Sequence, residues 1–138
     1  MTDTKSAMEF HSGDASKRAR WIKIARVIYW IITGFVAVTM IIAGISYIVG
    51  FKPTVEAFVK VGFPIYAMKI LGVFKILGGF TFLFVKNRTL REWAYAGYTF
   101  NLIGAIAAHA FTDQGYLPAA IVLVMVLISY RQWKTGWL

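Results

Sequence analysis

At 138 residues the chain has room for a single domain, and 59% of it is apolar, above the roughly 45–50% of ordinary soluble domains. A formal net charge of +9 would suit a nucleic-acid binder, but the basic residues stand between long apolar runs, as in cytoplasmic loops of membrane proteins, and not on a polar basic face. No cysteine is present, which excludes disulfides, thiol redox chemistry and cysteine-ligated iron–sulfur clusters from this chain.

Residues 1–20 are polar, contain Gly13 and several serines and lack periodicity. They are expected to form a flexible basic cytoplasmic tail ahead of a transmembrane domain over 21–138. The tail ends in Lys17-Arg18-Ala19-Arg20, followed by Lys23 and Arg26. The apolar run behind this cluster exceeds the roughly 7–15 residues of a signal-peptide core and has no small-residue cleavage site, so an anchor is expected and not a cleaved leader. The first span is predicted over about 27–49, uncharged throughout. At 1.5 Å per residue it covers about 34 Å, enough to cross a hydrocarbon core with slight tilt. Trp21, Tyr29 and Trp30 mark its inner end as interfacial anchors.

Gly50-Phe51-Lys52-Pro53 breaks the helix. In the next segment, about 53–61, Val55, Phe58, Val59 and Gly62 fall at i, i+3, i+4 and i+7, while Glu56 and Lys60 pair on the other side. This pattern predicts a short amphipathic helix on the outer membrane surface. A second span is predicted over about 65–85, then a basic turn from Lys86 to Glu92, a third span over about 93–111 and an outer turn over 112–116. The fourth span, about 117–133, is almost wholly aliphatic, with Pro118 in the first turn where its missing N–H does no harm. The chain ends basic and aromatic, from Arg131 to Leu138.

Lys and Arg set the orientation. Eleven lie in the amino tail through Arg26, the 86–92 turn and the carboxyl end, against only Lys52 and Lys60 in the opposite loops. The positive-inside rule therefore puts both termini and the 86–92 turn in the cytoplasm. The expected fold class is all-α: a bundle of four transmembrane helices with both termini cytoplasmic and a short interfacial helix between the first two spans. The expected location is the bacterial cytoplasmic (inner) membrane, with the lipid bilayer as first partner and a membrane-protein partner or homo-oligomer as second.

The second and third spans carry what a membrane interior should reject. Lys69 and Lys75 lie in one, Asn101 and His109 in the other. A lysine at the centre of a spanning helix costs about 2.5–3.5 kcal/mol on insertion scales, so such residues are candidate ligand-binding positions. Because the two spans run antiparallel, Lys75 and Asn101 match in depth near the middle of the bilayer to within about 3 Å. Lys69 and His109 match near the outer end. Met68, Gly72, Lys75 and Gly79 share one helical face, as do Gly97, Asn101, Gly104 and Ala108. With Gly78 these glycines are the candidate packing positions, and they predict a tight pairing of the second and third spans with Lys75 facing Asn101. The bland alternative is a structural lysine bonded to Asn101 or to backbone carbonyls, with Lys69 snorkelling and His109 capping the outer boundary.

His109 is the one histidine in a span, so a bis-histidine haem site is excluded for one chain and only a His/Met pair with Met68 remains in principle. Aromatic residues make up 17% of the chain. They serve either as lipid-facing filler or as the lining of a cavity for a flat, lipid-soluble molecule such as a quinone. No nucleotide-binding, metalloprotease or nucleophile-elbow spacing occurs, and neither a catalytic residue nor a metal-ligand set is expected.

The second span and its neighbour carry a resemblance. The segment GFPIYAMKILGVFKILGGFTFL, with a K-I-L-G-V-x-K-x-L-G-G core, and the later L-R-E-W-A-Y-A-G-Y-T-F-N-L-I-G-A-x-x-A-H segment are similar to DoxX-like membrane proteins. The similarity runs from about Ala43 to Tyr130, and its main positions are Lys69, Gly72, Lys75, Gly78, Glu92, Tyr95, Asn101 and His109. It implies a compact four-helix membrane bundle. It further implies association with thiosulfate:quinone oxidoreduction in the founding branch, with oxidative-stress complexes in other relatives and with receptor assembly in a distant animal branch. Without cysteine or an evident cofactor-ligand set, this chain is expected to be an accessory protein of a membrane redox, stress-response or other complex, holding a lipid-like or quinone-like ligand in the bundle. The alternatives are a catalytic quinone-coupled oxidoreductase subunit and a small oligomeric transporter.

Overall fold

The computed structural model describes residues 2–135. Among them are five helices and no strand: α1 (Thr2–Val49), α2 (Lys52–Lys60), α3 (Ile65–Phe84), α4 (Arg88–Phe111) and α5 (Leu117–Lys134). The final Gly136, Trp137 and Leu138 of the basic, aromatic carboxyl end lie outside the described residues. Among the described residues α1, α3 and α5 are each long and apolar enough to cross a membrane. Their apolar windows are mostly exposed, the reverse of a soluble core and the arrangement lipid requires.

Local chemistry accounts for the breaks. Gly50 and Gly62 follow α1 and α2 with φ of 77° and 84°, a left-handed conformation that glycine adopts without a Cβ clash. Ser46 C=O accepts from the N–H groups of both Gly50 and Phe51, which satisfies the end of α1. Pro53 occupies the first turn of α2 and Pro64 precedes α3. Tyr47 of α1 meets Phe58 of α2 edge-on at 5.0 Å and docks the short helix. Asn87 caps α4, its side chain accepting from Thr89 N–H at 3.0 Å and Leu90 N–H at 3.3 Å.

α1 extends further than the sequence predicts. Residues 2–20, expected as an aperiodic tail, continue it as helix, and from residue 3 onward they are exposed. Gly13 lies inside this helix, and a Cβ there would meet nothing within 4 Å. A single glycine costs only about 1 kcal/mol of helix propensity and need not break one.

The packing also revises the expected pairing. α1 makes its most extensive contact with α3 and also packs on α5; α4 packs mainly on α5 and more loosely on α3. The core is Val36, Ala37 and Met40 of α1, Phe82 of α3, Tyr95, Tyr98 and Leu102 of α4, and Val126 of α5. Within it a buried hydroxyl chain links three helices. Thr33 Oγ1 lies 2.7 Å from Ser129 Oγ, which lies 2.8 Å from the Tyr95 hydroxyl. Buried polar groups paired in this way fix the relative placement of α1, α4 and α5.

Candidate functional site

The site begins with a close helix contact. On α3, Met68, Gly72, Lys75 and Gly79, the face marked by the sequence, are buried together with Phe82, but the face is covered mainly by α1, with α4 reaching it through Tyr95 and Tyr98. A Cβ at Gly72 would stand 2.8 Å from Gly44 C=O and 2.9 Å from Tyr47 Cβ; one at Gly79 would stand 2.9 Å from Ala37 C=O. The absence of side chains lets the two backbones approach, as in small-residue interfaces between membrane helices. Gly78 faces the Met40 side chain, its Cβ position 2.8 Å from the terminal methyl. Gly97 and Gly104 have no such neighbour within 4 Å, because the expected tight α3–α4 pairing does not form.

Lys75 lies between Gly72 and Gly79 on the contact face and is only 9% exposed. Its Nζ stands 4.9 Å from the Tyr47 ring centroid and 5.5 Å from that of Tyr98, so the ammonium lies between aromatic rings of α1 and α4. No hydrogen bond joins it to Asn101 among the described residues. Instead both line one cleft between α3 and α4, about 440 Å³ in volume, with Met40 contributing from α1 and Leu77, Leu90 and Trp93 further along. Its volume falls in the range of small-molecule sites, roughly 300–1,000 Å³. The rim is exposed: Trp93 is 73% and Phe74 65% accessible. Along the helix axes the cleft extends about 9 Å from Lys75 to Thr81 and about 16 Å from Asn101 to Leu90.

The other two candidates are elsewhere. Lys69 is exposed on α3, and among the described residues no hydrogen bond or ion pair joins it to His109. His109 is half-buried near the end of α4; its Nδ1 is buried without a hydrogen-bond partner among the described residues, while its carbonyl accepts from Gln114 N–H at 3.0 Å. Neither lines the cleft. Met68 is fully buried. Among the described residues no group of three or more His, Asp or Glu side chains converges as a metal site.

Tyr47 and Tyr98 are the site residues that sequence reasoning missed. Tyr98 is three positions before Asn101, hence on the same face of α4, so a helical signal existed. Tyr47 had none until α1 was known to cover α3.

Beside the turn that joins them α3 and α4 are tied together. Arg91 Nη2 donates to Phe82 C=O at 2.7 Å, meeting an end carbonyl of α3 with a cation. Glu92 pairs with Lys134 of α5. Trp133 is flanked by Arg88, Arg91 and Lys134 at 6.0, 5.9 and 5.9 Å from its ring centroid.

No curated protein and no solved structure matches the chain. Comparison with known families matches residues 31–130, from within α1 almost to the end of α5, and the chain belongs to the DoxX-like family.

Proposed function

We propose that this protein is an integral membrane accessory protein that holds a lipid-soluble ligand in the α3–α4 cleft and serves a larger membrane complex of redox or stress-response type. α1, α3, α4 and α5 form a four-helix transmembrane bundle in the bacterial cytoplasmic membrane, with both termini inside and α2 lying on the outer surface. The charge asymmetry, eleven Lys and Arg against two, supports that orientation. α4 is the fourth span because it fills the remaining side of the bundle, with Tyr95, Tyr98 and Leu102 buried in the common core.

One observation carries the ligand reading. Lys75 is buried beside a laterally open cleft whose walls are otherwise mostly apolar. Intramembrane ionisable groups that face a cavity are characteristic of binding positions. Asn101 supplies a second polar group and Trp93 a flat apolar wall. The accessory role rests on membership of the DoxX-like family.

The test is purification from native membranes in lipid nanodiscs, followed by mass spectrometry of co-purifying proteins and small molecules. A lipid-soluble compound should accompany the wild type and fall by about tenfold or more in Lys75→Met, the loss expected for one charge-assisted contact. A protein recovered alone and ligand-free would contradict both parts of the proposal.

A further inference from the structure

We infer that the cleft takes a lipid-soluble carboxylic acid, with its carboxylate on Lys75 and Asn101 and its apolar body along Leu77, Leu90 and Trp93. This rests on the reading of the cleft as a ligand site and adds the sign and class of the ligand's polar group.

The inference comes from charge complementarity. Lys75 is the single charged residue among those lining the cleft. The sequence has no Asp or Glu between Glu56 and Glu92, or between Glu92 and Asp113. The facing stretch of α1 from Val27 to Val49 has none either, and α5 contains none. Glu92 is already paired with Lys134. The bundle therefore places one ammonium in its interior and offers it no carboxylate. Tyr47 and Tyr98 meet it with ring faces, which attract the charge but supply no lone-pair acceptors to the three N–H donors of an ammonium.

A ligand anion completes this arrangement. A carboxylate accepts from Lys75 and from the amide of Asn101 on the opposite wall, and the pair together is neutral, as a low-dielectric interior demands. A dianionic phosphate would leave a surplus negative charge there. The walls beyond the polar end are Leu71, Phe74, Leu77, Leu90 and Trp93, which suit an acyl chain or another apolar body. The exposed rim gives it lateral access from the bilayer.

The experiment compares a fluorescent polyene fatty acid with its methyl ester, equal in chain length, binding to the full chain in zwitterionic nanodiscs at neutral pH. The acid should bind at least about tenfold more tightly than the ester, the margin of a charge-assisted hydrogen bond. In Lys75→Met the acid should fall to the level of the ester, whereas Lys75→Arg should retain a preference for the acid. Equal binding of acid and ester to the wild type overturns the inference and leaves the cleft as a site for neutral ligands. Binding of neither overturns the inference and the reading beneath it. Because the acid–ester comparison is made on the wild type, it decides the question even if a variant fails to fold.

Discussion

At the scale of residues, Lys75 and its flanking glycines form one device. Gly72 and Gly79 remove the side chains that would hold α3 away from α1, and the resulting approach brings Tyr47 over the lysine. Gly72→Ala would drive a methyl to 2.8 Å from a backbone carbonyl that cannot swing aside. An overpacked contact of this kind costs about 1–3 kcal/mol. Gly97→Ala meets open space, so it should be neutral or gain up to about 1 kcal/mol of helix propensity. Thermal unfolding in detergent separates the two: a clear drop for Gly72→Ala and none for Gly97→Ala. Equal drops would mean that the glycines act through flexibility and not through helix contact. The buried face of α3 was legible in the sequence because Met68, Gly72, Lys75 and Gly79 repeat at helical spacing. The partner covering it was not, since periodicity identifies a face and is silent about its neighbour. Gly97 and Gly104 repeat equally well, and a Cβ at either meets nothing among the described residues.

At the scale of elements, the cleft exists because α3 and α4 are anchored to different neighbours. α3 belongs to α1 and α4 to α5, so their shared seam is drawn together chiefly beside the turn that joins them, through Arg91, Phe82 and Tyr95. Element positions were readable from the sequence because Gly–Pro breaks and apolar runs mark them: the helices at 52–60, 65–84 and 117–134 lie within a residue or so of the predicted segments. The long seam was not readable, because it depends on which pairs win the competition for contact. The Glu92–Lys134 pair fixes α4 to α5 next to that seam. The Lys134 ammonium, hydrogen-bonded to Glu92 and reinforced by Arg88, holds its carboxyl below the usual carboxylate range. A lowered folded-state value means the pair stabilises fully above the unfolded glutamate value of about 4.3 and ceases to do so as pH falls through the folded one. Glu92→Gln should therefore melt slightly below wild type at neutral pH and low salt. Both side chains are well exposed, so the difference should shrink in high salt and vanish in acid. A gap that persists under acid conditions would show that the glutamine disturbs packing and not charge.

At the scale of the whole molecule, the question with the most consequence is whether α4 crosses the bilayer. α1, α3 and α5 are the helices apolar enough to do so by composition; α4 starts with Arg88, Arg91 and Glu92 and carries Asn101 and His109. Its claim comes from packing, because its buried tyrosines and Leu102 complete the core shared with α1, α3 and α5. The two arrangements differ in parity. With four spans, Thr89 and Thr135 lie on one side and Glu56 and Gly115 on the other. With α4 lying on the inner surface, Gly115 joins Thr89 inside, α5 then crosses outward, and Thr135 emerges on the outside. The chain contains no cysteine, so single cysteines at these four positions act as reporters without background. In intact cells an impermeant maleimide should label Glu56→Cys and Gly115→Cys, with Thr89→Cys and Thr135→Cys reacting only after lysis. Labelling of Thr135→Cys in intact cells, with Gly115→Cys protected, would reduce the bundle to three spans. It would also take Tyr98 and Asn101 away from Lys75, which stays at mid-span in α3, and so remove the α4 wall of the cleft.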